Sequence, residues 1–77
     1  PIILTLQPKG KFKEFEPSLA ETFIYVLKGK IAVQLGNTKH IAKEGESVYF
    51  HASNEHQIFN TNDDVSVILL VATDSYL

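Results

Sequence analysis

The sequence predicts a small all-β domain whose strands pair antiparallel. Short runs rich in β-branched and aromatic residues recur along its 77 residues, separated by Gly, Pro and Asn-Asp turn signals. The connections between these runs are too short for the crossover that a parallel pair of strands requires. Eight or so short strands with regularly spaced turns indicate a sandwich or small barrel. A chain of this length predicts one domain, residues 1–77.

The predicted strands follow one another closely along the chain. The first two, residues 1–6 and the more polar residues 11–16, are joined by a turn that contains Pro and Gly. Residues 23–27 are continuously apolar, which predicts a strand buried on both faces. Residues 31–35 alternate, which predicts one buried face. The remaining predicted strands are residues 38–42, 47–50, 57–59 and 65–73.

The charge pattern excludes several partners. The net charge is -2, and the seven basic residues are all Lys and are scattered, so we expect no direct contact with nucleic acid. The densest run, Lys9, Lys11 and Lys13, is typical of a solvated edge strand.

No apolar run is long enough to span a membrane. The chain has no Cys, which fits a cytoplasmic protein and leaves no thiolate metal site.

The small core predicts a partner surface. A chain this short buries a smaller fraction of its surface than a larger domain does. The outward residues of the predicted strands at 1–6 and 65–73 are apolar and need cover. We therefore expect a homodimer.

Glycines and two polar residues recur at fixed intervals. Eighteen residues separate Gly10 from Gly29, fifteen separate Gly29 from Gly45, and His56 and Asn60 lie eleven and fifteen positions after Gly45. The intervals match the two cupin motifs, which run Gly, five residues, His, one, His, three or four, Glu, six, Gly, and Gly, five, Pro, one, Gly, two, His, three, Asn. The chain therefore resembles a small single-domain cupin. The resemblance implies an antiparallel cupin-type β-barrel (a jelly roll, or double-stranded β-helix), with the glycines in turns that favour φ > 0.

The residues at the family's metal-ligand positions depart from the motif. Where the resemblance implies two His, one Glu and a further His, this chain carries Glu16, Ser18, Thr22 and His56. Hydroxyl groups are weak ligands for a transition metal, whereas imidazole and carboxylate suit one. We therefore expect no metal cofactor, with His56 as the remaining candidate ligand for a divalent metal. An alternative zinc site combines His56 and Glu16 with His51.

The resemblance also implies a set of residues inside the barrel. We predict that these bind a ligand and list them here: Glu16, Ser18, Thr22, Ile24, Val26, His56 and Ile58. Two alternatives stay open. His56 is equally a hydrogen-bonded core residue, and Glu16 fits an exposed charged edge better than a buried position, because two buried carboxylates, Glu14 and Glu16, would repel each other. Tyr25 is in the opposite phase and is expected outside the barrel. His40 and His51 are interpreted as surface residues, and no arrangement of residues suits nucleophilic catalysis.

The stretches YVLKGK and GESVYF, with His56 and Asn60, resemble the C-terminal cupin domains of bacterial helix-turn-helix regulators. The resemblance implies a ligand-sensing and dimerisation domain that binds a small-molecule effector inside the barrel without catalysis. The chain opens on Pro1 and contains no Met, which fits a fragment of a longer chain. The alternatives are a small metal-dependent cupin enzyme of the dioxygenase or isomerase type, and a purely structural dimerisation module whose barrel is filled by side chains.

Overall fold

Two antiparallel sheets pack face to face in the computed structural model, which describes residues 2–10, 21–51 and 56–73. One sheet has the strand order β1-β7-β2-β5 and the other has the order β4-β3-β6. The all-β class and the antiparallel pairing predicted from the sequence are confirmed. The strands are β1 (Ile2–Leu6), β2 (Glu21–Lys28), β3 (Lys30–Leu35), β4 (Thr38–Lys43), β5 (Ser47–His51), β6 (His56–Asn60) and β7 (Ser66–Ala72).

Each of these strands lies within two residues of a predicted one. The predicted strand at residues 11–16 lies outside the described residues. Within the described ranges, no helix is long and apolar enough to cross a membrane.

The core lies between the two sheets and is built from the inward residues of both. In β2 the buried side chains are those of Thr22, Ile24 and Val26, while Phe23 and Tyr25 are 37% and 36% exposed. The prediction that residues 23–27 are buried on both faces is therefore wrong, because the three-stranded sheet covers only the inner face of β2. The expected position of Tyr25 outside the barrel is confirmed.

The third strand departs from its predicted alternation. Ile31, Ala32 and Val33 are all buried, so β3 does not present one solvated face along its first half. The small Ala32 side chain lies on the outer side, where it is paired with Phe59 of β6 and Ile41 of β4. Those larger neighbours cover it.

The glycine turns agree with the expectation at two of the three motif positions. Gly29 and Gly45 have φ values of 79° and 84°, in the region that favours glycine. The expectation is wrong for Gly10, because Lys9 takes the positive φ of 60° in that turn. The backbone N–H of Gly10 instead donates to the Gln7 carbonyl at 2.9 Å and closes the turn.

A register shift between Val26 and Lys28 interrupts the pairing of β2 with β7. Beyond the shift, Lys28 pairs with Val67. The backbone of Val26 meanwhile bonds to the β4–β5 turn, since its N–H donates to Glu46 O at 3.0 Å and its carbonyl accepts from Gly45 N–H at 2.9 Å. These bonds therefore tie β2, an interior strand of the four-stranded sheet, to the turn that connects β4 of the other sheet to β5.

Candidate functional site

Asn60 organises one end of the sandwich, at the end of β6. Its side chain is buried, and Nδ2 lies 2.9 Å, 3.0 Å and 2.9 Å from the carbonyl oxygens of Leu6, Gln7 and Asp64. Its Oδ1 accepts a hydrogen bond from the backbone N–H of Asn62 at 2.8 Å. These partners lie at or just after the end of β1 and between β6 and β7, so one amide connects two separate segments of the chain.

Ser66 extends this network to the turn between β2 and β3. Its Oγ lies 2.8 Å from the carbonyl oxygen of Lys30 and 2.9 Å from Oδ1 of Asn60, and accepts from Lys30 N–H at 3.2 Å. A Cβ on Gly29 would lie 2.4 Å from this oxygen. The motif residues Gly29 and Asn60 therefore serve the architecture, and we name this network of Gly29, Lys30, Asn60 and Ser66 the Asn60 cluster.

His56 lies inside the sandwich at the opposite end of β6. Its side chain is 2% exposed, and it is paired with Leu35 of β3. The ring of Phe50 meets the imidazole edge to face, with 5.2 Å between the ring centroids. Phe50 is in turn paired with the buried Thr22 of β2. The two sheets thus bring Thr22 and His56 to the same end of the core.

The structure places the described members of the predicted ligand-binding set on the inner faces of the sheets, and all are buried: Thr22, Ile24, Val26, His56 and Ile58. The aliphatic members are packed into the continuous hydrophobic core. Glu16 and Ser18 lie outside the described residues. The role of the set in ligand binding therefore stays a prediction.

The structure separates His51 from His56. His51 is the last residue of β5, is exposed as expected, and is paired with Glu21 on the outer face of the four-stranded sheet. The zinc site that joins His51 to His56 is therefore wrong, because the two side chains lie on opposite sides of that sheet.

At the family's metal positions, the described residues offer the hydroxyl of Thr22, a weak ligand for a transition metal, and the imidazole of His56. The other two positions, Glu16 and Ser18, lie outside the described residues. Throughout residues 2–10, 21–51 and 56–73, no group of three or more His, Cys, Asp or Glu side chains is arranged to hold a metal ion.

A cleft of about 640 Å³ lies in the gap between β4 and β5, the edge strands of the two sheets. The Gly45 and Glu46 bonds to Val26 close one end of this gap. The cleft is lined by Leu35, His40, Ile41, Ala42, Gly45, Glu46, Ser47, Val48 and Tyr49. The cleft is an open groove rather than an enclosed pocket, and its volume lies within the range of about 300–1,000 Å³ that is usual for small-molecule sites.

His40 stands at the mouth of this cleft on the inner face of β4. It is exposed, as expected, but it is paired with the buried Val33, so it shares the phase of the core rather than of the outer surface. Val48 of β5 enters the cleft from the other sheet, paired with Ile24. The sequence interpretation missed this pair. The available signal was that His40 lies two residues before the buried Ala42.

Two acidic side chains near the cleft have assigned partners. Oε1 of Glu46 accepts from the backbone N–H of Lys43 at 2.7 Å and stabilises the turn. The phenol of Tyr49 donates to Oε2 of Glu21 on the outer face. This hydrogen bond, together with slight desolvation and the carboxylate charge, raises the pKa of Tyr49 above its ordinary 10.0. His40 contributes an imidazole to the cleft lining, alongside the ring of Tyr49.

Comparison with protein families supports a single assignment over almost the whole chain. The model described as "Cupin domain" matches residues 2–73. A search of curated proteins gave no match.

Solved structures share the fold at low sequence identity. The Schizosaccharomyces pombe Cnp3 cupin domain is 14% identical with a TM-score of 0.84, over 95% of this chain and 53% of that one. A predicted oxalate decarboxylase from Thermotoga maritima is 18% identical with a TM-score of 0.80, over 91% and 61%. A sugar phosphate isomerase of the cupin superfamily from Silicibacter pomeroyi is 23% identical with a TM-score of 0.77, over 95% and 48%.

The chain thus spans about half to three fifths of each of these three structures. Two of them are described as enzymes and one as a domain without a stated reaction. The shared fold therefore does not specify whether this chain catalyses a reaction.

Proposed function

The chain belongs to the cupin family, and from that premise we propose that it is a non-catalytic domain that binds a small molecule in the cleft between β4 and β5. The observation that carries the proposal is the cleft itself. It combines apolar side chains from both sheets, Leu35 and Val48, with the imidazole of His40 at the mouth. Such a surface suits a molecule with an apolar body and one hydrogen-bonding group.

The chemistry at the family's metal positions supports binding rather than catalysis. A metal-dependent reaction needs three or four good ligands held in place. Thr22 and Ser18 contribute only hydroxyl oxygens to that set, so Glu16 and His56 are its two good ligands, fewer than the three that such a reaction needs. The interior is also occupied by packed side chains of the core, so the proposed site lies beside the core, at the open edge of the sandwich.

The finer form of this proposal is the effector domain of a bacterial helix-turn-helix regulator, acting in the cytoplasm. It rests on the resemblance of YVLKGK and GESVYF to such domains. The coding sequence upstream of Pro1 tests it, because a helix-turn-helix there supports the role and a different domain there contradicts it.

Ligand binding is tested by the thermal stability of the purified domain in the presence of aromatic carboxylates, aliphatic amines and monosaccharides. A ligand at a hundred times its Kd stabilises the folded state by about 2.7 kcal/mol, which raises the Tm by several degrees. His40→Ala should abolish this shift. The matched variant His51→Ala, which removes an exposed imidazole outside the cleft, should retain it.

A flat response to the whole panel, or a shift that survives His40→Ala unchanged, contradicts a site at this cleft. Stoichiometric Fe, Mn, Ni or Zn in the purified protein contradicts the non-catalytic proposal and favours a metal-dependent enzyme.

One observation favours a second candidate, the purely structural module. Ile24, Val26 and Ile58, three residues predicted to line a pocket, are 0% exposed and fill the space between the sheets. A barrel interior of this size is just wide enough to be filled by side chains. If the purified domain is stably folded and no compound in the panel changes its Tm, that result supports this candidate.

A further inference from the structure

The outer face of the three-stranded sheet is basic. Three of its strand positions are lysines with exposed side chains, Lys30 of β3 and Lys39 and Lys43 of β4. They lie in the outward phase, because the neighbouring Ile31 and Ala42 are buried in the core. The other outward strand residues of this sheet are uncharged, and they are Ala32, Gln34, Ile41, Gln57 and Phe59. Since the net charge of the chain is -2, this basic face lies on an acidic molecule.

Two of these lysines lie directly opposite each other. Lys30 is paired with Lys43, and like charges at directly opposite positions destabilise a sheet. Within residues 2–10, 21–51 and 56–73, no carboxylate lies within ion-pairing distance of any of the three lysines. Lysines protect an edge strand such as β4 from pairing with other chains, but Lys30 lies on the middle strand, where that role does not apply. The repulsion therefore has no evident purpose in the fold itself.

The centre of the basic face is apolar. Along β4 the outward order is base, apolar residue, base, as Lys39, Ile41 and Lys43, and Ile41 is 53% exposed. Phe59 of β6 is half-buried and lies across Ala32 from Ile41, so it widens this centre. The rise of a strand places the two lysines of β4 about 14 Å apart, which is the span of four residues in another extended chain.

A groove of about 360 Å³ adjoins the apolar centre. It is lined by Lys9, Gln34, Lys39, Phe59, Asn60 and Thr61. The Oγ1 atom of Thr61 is buried and has no hydrogen-bond partner in the described part of the chain. Because an unpaired buried hydroxyl costs free energy, a polar group that enters the groove and bonds to Thr61 gains from doing so.

We propose that the basic face binds an extended acidic segment of a partner protein, in which an acidic, an apolar and an acidic residue follow at every second position. Alternate residues of an extended segment point the same way. Two carboxylates four residues apart then meet Lys39 at one end and the pair of Lys30 and Lys43 at the other, where they remove the repulsion. The apolar side chain between them packs on Ile41 and Phe59.

Other anionic partners suit this face less well. Nucleic acid carries closely spaced phosphates along its whole length, and Glu44 and Asp63 in the turns beside the face would repel them. Basic patches that bind anionic membranes combine about 4–8 Lys or Arg residues, more than this face presents. The proposal is independent of ligand binding at the β4–β5 cleft, because His40 lies on the opposite, inner side of β4.

The test is fluorescence anisotropy of the labelled peptide Glu-Thr-Val-Thr-Glu-Thr-Val-Thr-Glu, titrated with the folded domain. The matched peptide Glu-Glu-Glu-Thr-Val-Thr-Val-Thr-Thr has the same composition but contiguous acids. We expect the alternating peptide to bind with a Kd about tenfold lower. Equal Kd values, no binding of the alternating peptide at about 1 mM, or tighter binding of single-stranded DNA or phosphatidylserine vesicles overturns the proposal.

Charge variants locate the binding. Lys39→Glu should raise the Kd of the alternating peptide by about tenfold, because repulsion replaces attraction at one end of the segment. Lys28→Glu makes the same change of net charge at an exposed position of the other sheet and should leave the Kd within about twofold. If both variants weaken binding equally, the peptide responds to net charge and the assignment to this face is wrong.

Lys43→Thr separates a binding role from a structural one. It should weaken binding of the alternating peptide by about threefold and yet raise the Tm of the free domain by about 1–5 °C, because it ends the repulsion of Lys30. Circular dichroism verifies that each variant is folded. A lower Tm with unchanged peptide binding would show that Lys43 serves the fold and would overturn the proposal.

Discussion

The two sides of this sandwich use their polar residues differently. At the Asn60 cluster, polar atoms of Asn60 and Ser66 are buried and bonded to backbone groups of several loops. At the β4–β5 cleft, His40 is exposed beside apolar side chains, and the gap between the edge strands stays open. The motif residues Gly29 and Asn60 maintain the fold, whereas the cleft includes one motif residue, Gly45, and is otherwise lined by residues at positions that the motifs do not specify.

The largest expected effect is at Asn60. Asn60→Ala removes an amide that three buried or half-buried carbonyl groups share, and it leaves them without that donor. We expect a loss of about 3 kcal/mol or more in the free energy of unfolding, measured by urea titration, because each unsatisfied buried group costs about 1–3 kcal/mol.

Asn62→Ala is the matched control, since the contact of Asn62 with the cluster is through its backbone N–H, which the substitution retains. Its expected change is about 0.5 kcal/mol or less. Equal losses for the two variants would remove the distinction between the Asn60 cluster and the ordinary loop around it.

The next effect is at Gly29. Its φ is positive, and an added Cβ would meet Ser66 Oγ at 2.4 Å and the backbone of residues 65 and 66 at little more than 3 Å. Gly29→Ala therefore adds a clash to the backbone strain, and we expect a loss of about 2–4 kcal/mol in thermal or chemical unfolding.

Gly45→Ala separates the two causes. Gly45 has a similar φ of 84°, but nothing lies within 4 Å of an added Cβ. We expect a loss of about 1 kcal/mol from backbone strain alone. If Gly45→Ala is as damaging as Gly29→Ala, the close approach to Ser66 is not what requires glycine.

At the cleft we expect a substitution to change the free energy of unfolding only slightly. His40→Ala removes an exposed ring that lies on an edge strand, so the expected change in the free energy of unfolding is within about 0.5 kcal/mol. Ile58→Ala, on the same inner face but fully buried, should cost about 2–5 kcal/mol. A large loss for His40→Ala would show that the cleft is part of the packed core.

The fold was predictable from the sequence because its signals are local. Glycine at turns, short β-branched runs and alternating polarity specify strands almost independently of the rest of the chain. The inward phase of Thr22, Ile24 and Val26 likewise follows from alternation once His56 and Asn60 set the register.

The cleft and the pairing of β2 with β7 were less predictable because they depend on non-local geometry. The sequence indicates only that His40 is a surface residue, because its place in the cleft depends on the gap between β4 and β5. The register shift after Val26, beyond which Lys28 pairs with Val67, occurs where Val26 bonds to the distant Gly45 and Glu46, and no local pattern in the sequence indicates it. Gly10 shows the converse, since the motif glycine is present but its neighbour Lys9 adopts the positive φ.

The smallest expected effect concerns the exposed ion pair beside the Asn60 cluster, in which Nζ of Lys9 lies 2.9 Å from Oδ1 of Asp63. The hydrogen bond and charge of Lys9 lower the pKa of Asp63 below its ordinary 3.8. A lowered folded-state pKa adds stability that is present above the ordinary pKa and is lost as the pH falls below 3.8 toward the folded-state value. Because the pair is solvated and screened by salt, we expect only a slight effect.

Asp63→Asn should therefore reduce stability slightly at pH 7 and leave it equal to that of the wild type below the folded-state pKa of Asp63. Urea titrations at both pH values measure the difference, and added salt should shrink the difference at pH 7. Asp64→Asn is the matched control, because the Asp64 backbone carbonyl, not its charge, contacts Asn60. A pH-dependent loss for Asp63→Asn as large as that of Asn60→Ala would mean that the Asn60 cluster depends on this surface charge pair rather than on its own buried bonds.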